Sequence, residues 1–334
     1  MRISVVIPVY NGEATLAGCV ESLLGQSVPA HEIIVVNDGS SDGTVEVAGR
    51  YPVRVCDLGR NQGAARAKNS GAEIATGEVL FFTDADCHLQ PEGLACIQET
   101  LLDPEIDGVV GLLSQSCPYP NFASQFKNLW MHFTYARQPR RVGLFFTSAA
   151  AIRRELFERE GGFDPHYSGA SITEDIEFGQ RLLAKDRMLV IDKRLTVEHQ
   201  KLYSAKAVLR TDLQRARGLF QTYLRNKASK EPRAHYASVP WYFQTGVGVL
   251  GLGLALLLVG MVAVLLGAGR TLLWLGLVSC VLSLMLNAPF LLALTRWRGL
   301  WFGIASIGFL FLDLLCSGLG ILWGLFDMFR GQRY

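Results

Sequence analysis

Charge is missing from much of the C-terminal third of this 334-residue sequence. No Asp, Glu, Lys or Arg occurs between Ala234 and Gly269, or between Thr271 and Thr295. From Gly299 onward, Asp313 is the only charge before Asp327. Soluble helices this bare would need a very large core. About 20 apolar residues cross a bilayer core, so the runs read as three transmembrane helices. They lie at about 242–266, 272–294 and 300–326. CxxC pairs are also missing, and seven cysteines cannot all pair. That pattern reads as reduced thiols in a cytosolic domain. The net charge of +2 gives no argument for a nucleic-acid partner. Ile3 to Val9 is far too short for a signal peptide, and Pro8 interrupts it.

What is present falls into two parts. Residues 1–230 carry nearly all the charge and read as one α/β domain. Within it, residues 204–230 form a basic amphipathic helix expected at the membrane surface, and residues 231–334 form the membrane domain. Lys227, Lys230 and Arg233 precede the first span, and Arg296 and Arg298 separate the second from the third. The positive-inside bias places both segments in the cytoplasm. The turn at Arg270 then faces outside, and so does the tail with Arg330 and Arg333, unless the third span is re-entrant.

Ile3–Ile7, Glu32–Val36, Val53–Cys56 and Val79–Thr83 read as strands, and helical patterns at 14–24, 45–51 and 64–75 alternate with them. Alternation of this kind predicts a mostly parallel sheet covered on both faces, with ligands beyond the carboxyl ends of its strands. Pro8, Tyr10, Asp38 and Asp84-Ala85-Asp86 all fall at such ends. Two carboxylates at a strand end suit a hard divalent cation. Glu174-Asp175 opens a helical segment, where a carboxylate suits a general base. Ser171 with Glu174 also fits a capping box, which needs no catalytic duty. The stretch Phe122 to Tyr135 mixes aromatics with Lys127, consistent with either a membrane-interface helix or a core helix.

Taken in order, the motifs Ile7-Pro8-Val9-Tyr10-Asn11-Gly12-Glu13, Val36-Asn37-Asp38-Gly39-Ser40, Asn61-Gln62-Gly63, Asn69-Ser70-Gly71, Asp84-Ala85-Asp86, Gly162-Phe163-Asp164 and Glu174-Asp175 resemble those of family-2 inverting glycosyltransferases of GT-A fold. The resemblance covers roughly residues 1–200. It implies a Rossmann-like GT-A catalytic domain followed by an all-α transmembrane region. It places Pro8, Tyr10 and Glu13 at the nucleotide-sugar and Asp38 at its base. Asp86 would hold the metal, Asp84 the ribose or the metal's water shell, and Asp175, beside Glu174, would be the acceptor base. Mg²⁺ or Mn²⁺ suits an all-oxygen site better than Zn²⁺. His199 reads as a third metal ligand, a phosphate contact or a structural histidine. Lys68 stands where the family usually has Arg, so it is either a phosphate contact or a surface lysine. Gln214-Arg215-Ala216-Arg217-Gly218 resembles the QxxRW motif of processive synthases, with Gly for Trp. That change implies transfer of a single sugar, with Arg217 still facing the diphosphate.

The expected activity is transfer of a sugar from a UDP- or GDP-linked donor to a lipid or polyprenyl-phosphate acceptor at the cell membrane. Two rivals remain. A non-catalytic nucleotide-sugar-binding subunit would share the motifs. A sugar nucleotidyltransferase would carry a basic, Gly-rich loop after the first strand, where this chain has Val9-Tyr10-Asn11-Gly12-Glu13. Gly246 to Gly251 fits GxGxxG, but it lies in an apolar run and is not a dinucleotide site. Gly320 and Gly324 form a GxxxG pair suited to close helix packing, and Asp313 in the same span is costly unless paired.

Overall fold

The structure, a computed structural model, describes residues 1–167, 174–228 and 239–330. It divides into a unit built on Met1–Leu202 and a helical unit built on Tyr203–Ser229 and Val239–Tyr334.

The first unit opens with β1 (Ile3–Val9), α1 (Leu16–Leu24), β2 (Glu32–Asn37), α2 (Thr44–Ala48), β3 (Arg54–Asp57), α3 (Ala64–Ile74) and β4 (Val79–Phe82). Next come β5 (Cys87–Leu89), α4 (Gly93–Thr100), β6 (Gly108–Leu113), α5 (Phe122–Ala136), β7 (Ala150–Arg153) and α6 (Arg154–Arg159). A 3₁₀ turn at Pro165–Tyr167, then α7 (Glu174–Ala184) and β8 (Leu189–His199), complete it. The sheet order is β3-β2-β1-β4-β7-β6-β8-β5.

The sheet is mixed. From β3 to β4 every pairing is parallel, as strand–helix alternation predicts. β7 then pairs antiparallel with both β4 and β6. β6 and β8 are parallel, and β5 closes the edge antiparallel to β8. The strictly alternating strand–helix units, whose helical crossovers return each strand parallel to the last, end at β4. β1 and β4 are buried on both faces, which is why they read as apolar runs, broken in β1 by Ser4.

α3 packs against β1 and β2 through its small residues. A Cβ at Gly71 would strike Val6 and lie 2.9 Å from Val36 Cγ2. On the other side of the site, Phe82, Phe145, Phe157, Phe163 and Phe178 form an edge-on aromatic cluster, with Phe163 5.0 Å from Phe178 and 5.3 Å from Phe82. The cluster joins β4, α6 and α7 to the loops before β7 and after α6, so α7 is tied to the carboxyl end of β4. α5 is buried over most of its surface, Lys127 included, and is a core helix.

The helical unit comprises α8 (Ala205–Ala228), α9 (Trp241–Leu265), α10 (Thr271–Leu286), α11 (Ala288–Arg298) and α12 (Leu300–Phe329). α9 and α12 are each long and apolar enough to cross a membrane. The segment expected at 272–294 is instead bent by 54° between α10 and α11. Pro289 causes the break: it sits in the first turn of α11 and cannot continue the hydrogen-bond ladder of α10. α12 packs along α8 with no room for side chains. A Cβ at Gly320 would strike the carbonyl oxygen of Leu213, and one at Gly324 would lie 3.1 Å from that of Arg217. The GxxxG pair therefore seats α12 on the amphipathic helix rather than on another apolar one.

Candidate active site

Three loops at the carboxyl ends of β1, β2 and β3 are laced together by backbone-to-side-chain bonds. Asn11 accepts the residue's left-handed conformation (φ 53°), donates its N–H to Ser40 Oγ at 2.9 Å and receives the Ser41 N–H at 2.8 Å. Glu13 Oε2 accepts the Gly43 N–H at 3.0 Å. Asp38 is buried and accepts the N–H groups of Gln62 (2.6 Å) and Gly63 (2.9 Å), the latter being the N-cap of α3. Gly39 follows with φ +72°, and a side chain there would run into the Arg60 backbone. The motifs around Tyr10, Asp38 and Asn61 therefore form one rim. Pro8 is half-buried in it and Tyr10 is exposed.

Asp84 and Asp86 lie between β4 and β5. The Asp84 carboxylate accepts Ser148 Oγ–H at 2.5 Å, while its carbonyl oxygen accepts Cys87 N–H at 3.0 Å. The antiparallel pairing of β5 with β8 sets Cys87 opposite His199. As a result His199 Nε2 lies 3.4 Å from Asp86 Oδ2. Ligand atoms of Asp86, Cys87 and His199 all fall within 4.8 Å of one another. Burial would raise the Asp86 carboxyl, but the hydrogen bond and charge of His199 and the charge of Lys201 outweigh it, so it is held below its ordinary value. Cys87 goes the other way. Burial, then the charges of Asp84 and Asp86, push its thiol well above normal, so it stays protonated. The usable donor set is one carboxylate and one imidazole, a set that fits Mn²⁺ or Mg²⁺ completed by phosphate and water oxygens.

The second carboxylate group opens α7. Glu174 and Asp175 are both buried, and Asp175 Oδ1 accepts the N–H of Ile176 at 2.7 Å. Ser171, read as the capping-box partner of Glu174, lies outside the described residues. Lys68 on α3 is buried too. Its ammonium donates to Glu174 Oε1 at 2.8 Å and to Thr147 Oγ1 at 2.7 Å, and lies 5.6 Å from the centre of the Phe163 ring. Burial alone would lower its pKa, but the charges of Glu174, Asp84 and Asp175 outweigh that and raise it, so the ion pair holds.

The loop residues Thr147 and Ser148 thus join the two carboxylate groups: one contacts Lys68, its neighbour Asp84. Neither stood out in the sequence, since isolated hydroxyls before a strand carry no pattern. Asn69, adjacent to Lys68, makes a reciprocal pair with the Phe163 backbone, donating to its carbonyl at 2.7 Å and accepting its N–H at 2.9 Å. That pair ties the Asn69 motif to Gly162-Phe163-Asp164. Arg217 belongs to the helical unit. There its guanidinium donates to buried Asp327 at 2.5 Å and stacks over Trp323 at 4.7 Å.

Residues 4–161 match the Glycosyl transferase family 2 model. The chain is 39% identical over 111 residues to the uncharacterized glycosyltransferase YibD of Escherichia coli, covering 32% of each. It is 29% identical over 177 residues to glycosyltransferase AglE of Haloferax volcanii, covering 49% of this chain and 56% of that one. The chain thus spans about a third to a half of the length of these relatives. Its fold is similar to that of the mannosyltransferase PcManGT of Pyrobaculum calidifontis, solved with GDP-Man and Mn²⁺. That match has a TM-score of 0.59 at 20% identity and covers 96% of this chain and 87% of the other. Residues 4–161 are thus similar to the family-2 glycosyltransferases, and the unit that contains them has the GT-A fold.

Proposed function

We propose that this protein is a family-2 glycosyltransferase, membrane-anchored, metal-dependent and inverting, and that it moves one sugar from a UDP- or GDP-linked donor to a lipid or polyprenyl-phosphate acceptor. The observation that carries this reading is the meeting of the two carboxylate groups: Asp84 reaches Ser148, and Lys68, held by Glu174, reaches Thr147.

Roles follow from position. The rim of Pro8, Tyr10, Glu13 and Asp38 lies where the nucleoside would rest, with Asp38 fixing the loop before α3 through two backbone N–H groups. Asp86 and His199 would hold the divalent cation, with Asp84 beside them. Bound there, the cation screens the charge of the donor diphosphate. Asp175 takes the proton of an acceptor hydroxyl as its oxygen attacks the anomeric carbon. The new C–O bond forms on the face opposite the breaking bond to phosphate, whose electron pair leaves with the nucleoside diphosphate. Displacement from the opposite face inverts the anomeric centre. An acceptor phosphate would need orienting rather than deprotonation.

The membrane reading rests on α9, on the bent α10–α11 pair and on α12. We place the first unit in the cytoplasm, with Arg296 and Arg298 on the same side. α8 carries six Lys or Arg residues and does not suit hydrocarbon. Gly320, Gly324 and Asp327 of α12 lie against it. That packing favours the re-entrant alternative, in which the last turns of α12 rest at the surface beside α8 and the C-terminal end is cytoplasmic.

The test is a donor screen with the detergent-solubilised full chain, Mn²⁺ and membrane lipid extract, scored by nucleotide release and labelled lipid. UDP- or GDP-sugar consumption with lipid product is expected. Asp175→Asn should keep nucleotide binding and lose about 10² to 10⁴ in transfer rate. Binding without turnover of any donor would identify a non-catalytic subunit instead. Activity confined to water-soluble acceptors would overturn the lipid assignment.

A further inference from the structure

Lys68 sits at a position where a cation facing the donor phosphates would be expected, yet it is not placed to serve them. It is 3% exposed, and Thr147 and Glu174 take two of its three N–H donors. We propose that Lys68 is a positioning residue that fixes the first turn of α7, and with it Asp175, through Glu174, and that it does not bind the donor diphosphate. The proposal rests on the glycosyltransferase reading given above for the role of Asp175.

The geometry of α7 supports it. The helix is held at two places. Near its end, Arg181 donates to the carbonyl oxygen of Gly162 at 2.6 Å and pairs with Glu177 at 3.0 Å. At its start, Lys68 bonds Glu174, the residue immediately before Asp175. Three acidic residues, Glu174, Asp175 and Glu177, crowd the first turn. Their mutual repulsion would splay that turn without a cation beside it, although the helix dipole favours acid there. Lys68 supplies that cation from α3, a helix locked onto the central strands at Gly71 and tied to the Phe163 backbone by Asn69. The anchor therefore runs from the sheet, through α3, to the base. Thr147 extends it to the loop whose Ser148 holds Asp84. Lysine suits this duty better than arginine: a compact ammonium fits the space between one carboxylate, one hydroxyl and an aromatic face, whereas a planar fork asks for a bidentate partner.

The experiment uses the detergent-solubilised full chain carrying Lys68→Met, Lys68→Arg or Glu174→Gln. Three quantities are read: titration calorimetry with UDP and GDP in the presence of Mn²⁺, kcat and donor KM for transfer, and amide hydrogen exchange. For Lys68→Met and Glu174→Gln alike, nucleotide Kd and donor KM should stay within twofold of the parent while kcat falls about a hundredfold. Exchange should rise in the 174–180 amides and not in β1 or β4. The double variant Lys68→Met/Glu174→Gln should be no worse than either single one, because both remove the same contact. A tenfold loss of nucleotide affinity in Lys68→Met, with α7 exchange unchanged, would make Lys68 a phosphate ligand and overturn the proposal. If Lys68→Met does not fold, Glu174→Gln and Lys68→Arg decide by the same split between kcat and Kd. A parent that transfers no sugar at all would defeat the functional reading alone. The exchange measurement would still report whether Lys68 anchors α7.

Discussion

His199 Nε2 lies 3.4 Å from Asp86 Oδ2 because three residues of β5 pair antiparallel with the end of β8. In the proposed reading, the short edge strand closes the cation site. It fixes one donor immediately before itself and the other directly across from it. Both donors stand on hydrogen-bonded backbone, since Gln200 N–H also bonds the Asp86 carbonyl at 2.7 Å. A site on paired strands is held more precisely than one on a loop.

Removing either donor should therefore cost cation affinity. Asp86→Ala and His199→Ala are each expected to weaken Mn²⁺-dependent nucleotide binding by about 100-fold, a loss at least as large as that seen for supporting residues of metal sites. Calorimetric titration of UDP and GDP with and without Mn²⁺ checks this. Unchanged Mn²⁺ dependence in both variants would remove these residues from the site.

The seam between α8 and α12 tolerates no side chain at Gly320, where a Cβ would meet the Leu213 backbone. Gly320→Ala should destabilise the helical unit by about 1 to 3 kcal/mol through overpacking. Gly251→Ala, which meets nothing within 4 Å, is the control and should change stability by less than about 0.5 kcal/mol. Denaturant unfolding in detergent distinguishes the two, and equal stabilities would refute the seam.

Packing of α12 on α8 also sets a topology to measure. Cysteines introduced in place of Arg270 and Arg330 should differ in labelling by a membrane-impermeant maleimide on sealed, right-side-out vesicles, read against the parent. The Arg270 position is expected to label directly, and the Arg330 position only after permeabilisation. Direct labelling of both would restore three full crossings.

Within β8, Asp192 gives a pH signature. Burial opposes its ionisation, but bonds from the Arg194 side chain (2.8 Å) and backbone (2.9 Å) and from Thr100 (2.8 Å) outweigh it, so the carboxyl is held well below its ordinary value. A carboxylate lowered in the folded state stabilises the fold above its unfolded pKa of about 4, and that contribution fades as pH falls toward the folded value. Asp192→Asn should lower the unfolding temperature at pH 7, with the gap narrowing progressively below about pH 4. An equal gap at pH 7 and pH 3 would show that the carboxylate's charge is not involved.

Local pattern determined a good deal of this protein. The strands from β1 to β4, the placing of Asp38 and of Asp84 and Asp86 at their carboxyl ends, and the apolar helices all follow from period, run length and turn residues near in the chain. A strand's direction against a distant neighbour, as for β7 beside β4, is not written locally; the 54° break is, since Pro289 marks it within an otherwise uniform apolar run. Tertiary structure alone decided the partners. Lys68 reads as either a phosphate contact or a surface lysine until α7 arrives with Glu174, Thr147 and Ser148 read as ordinary loop hydroxyls, and Arg217 finds Asp327 only when two glycines let α12 close on α8. A buried charge depends on what folding carries to it from far along the chain, and neighbouring residues hold no record of that.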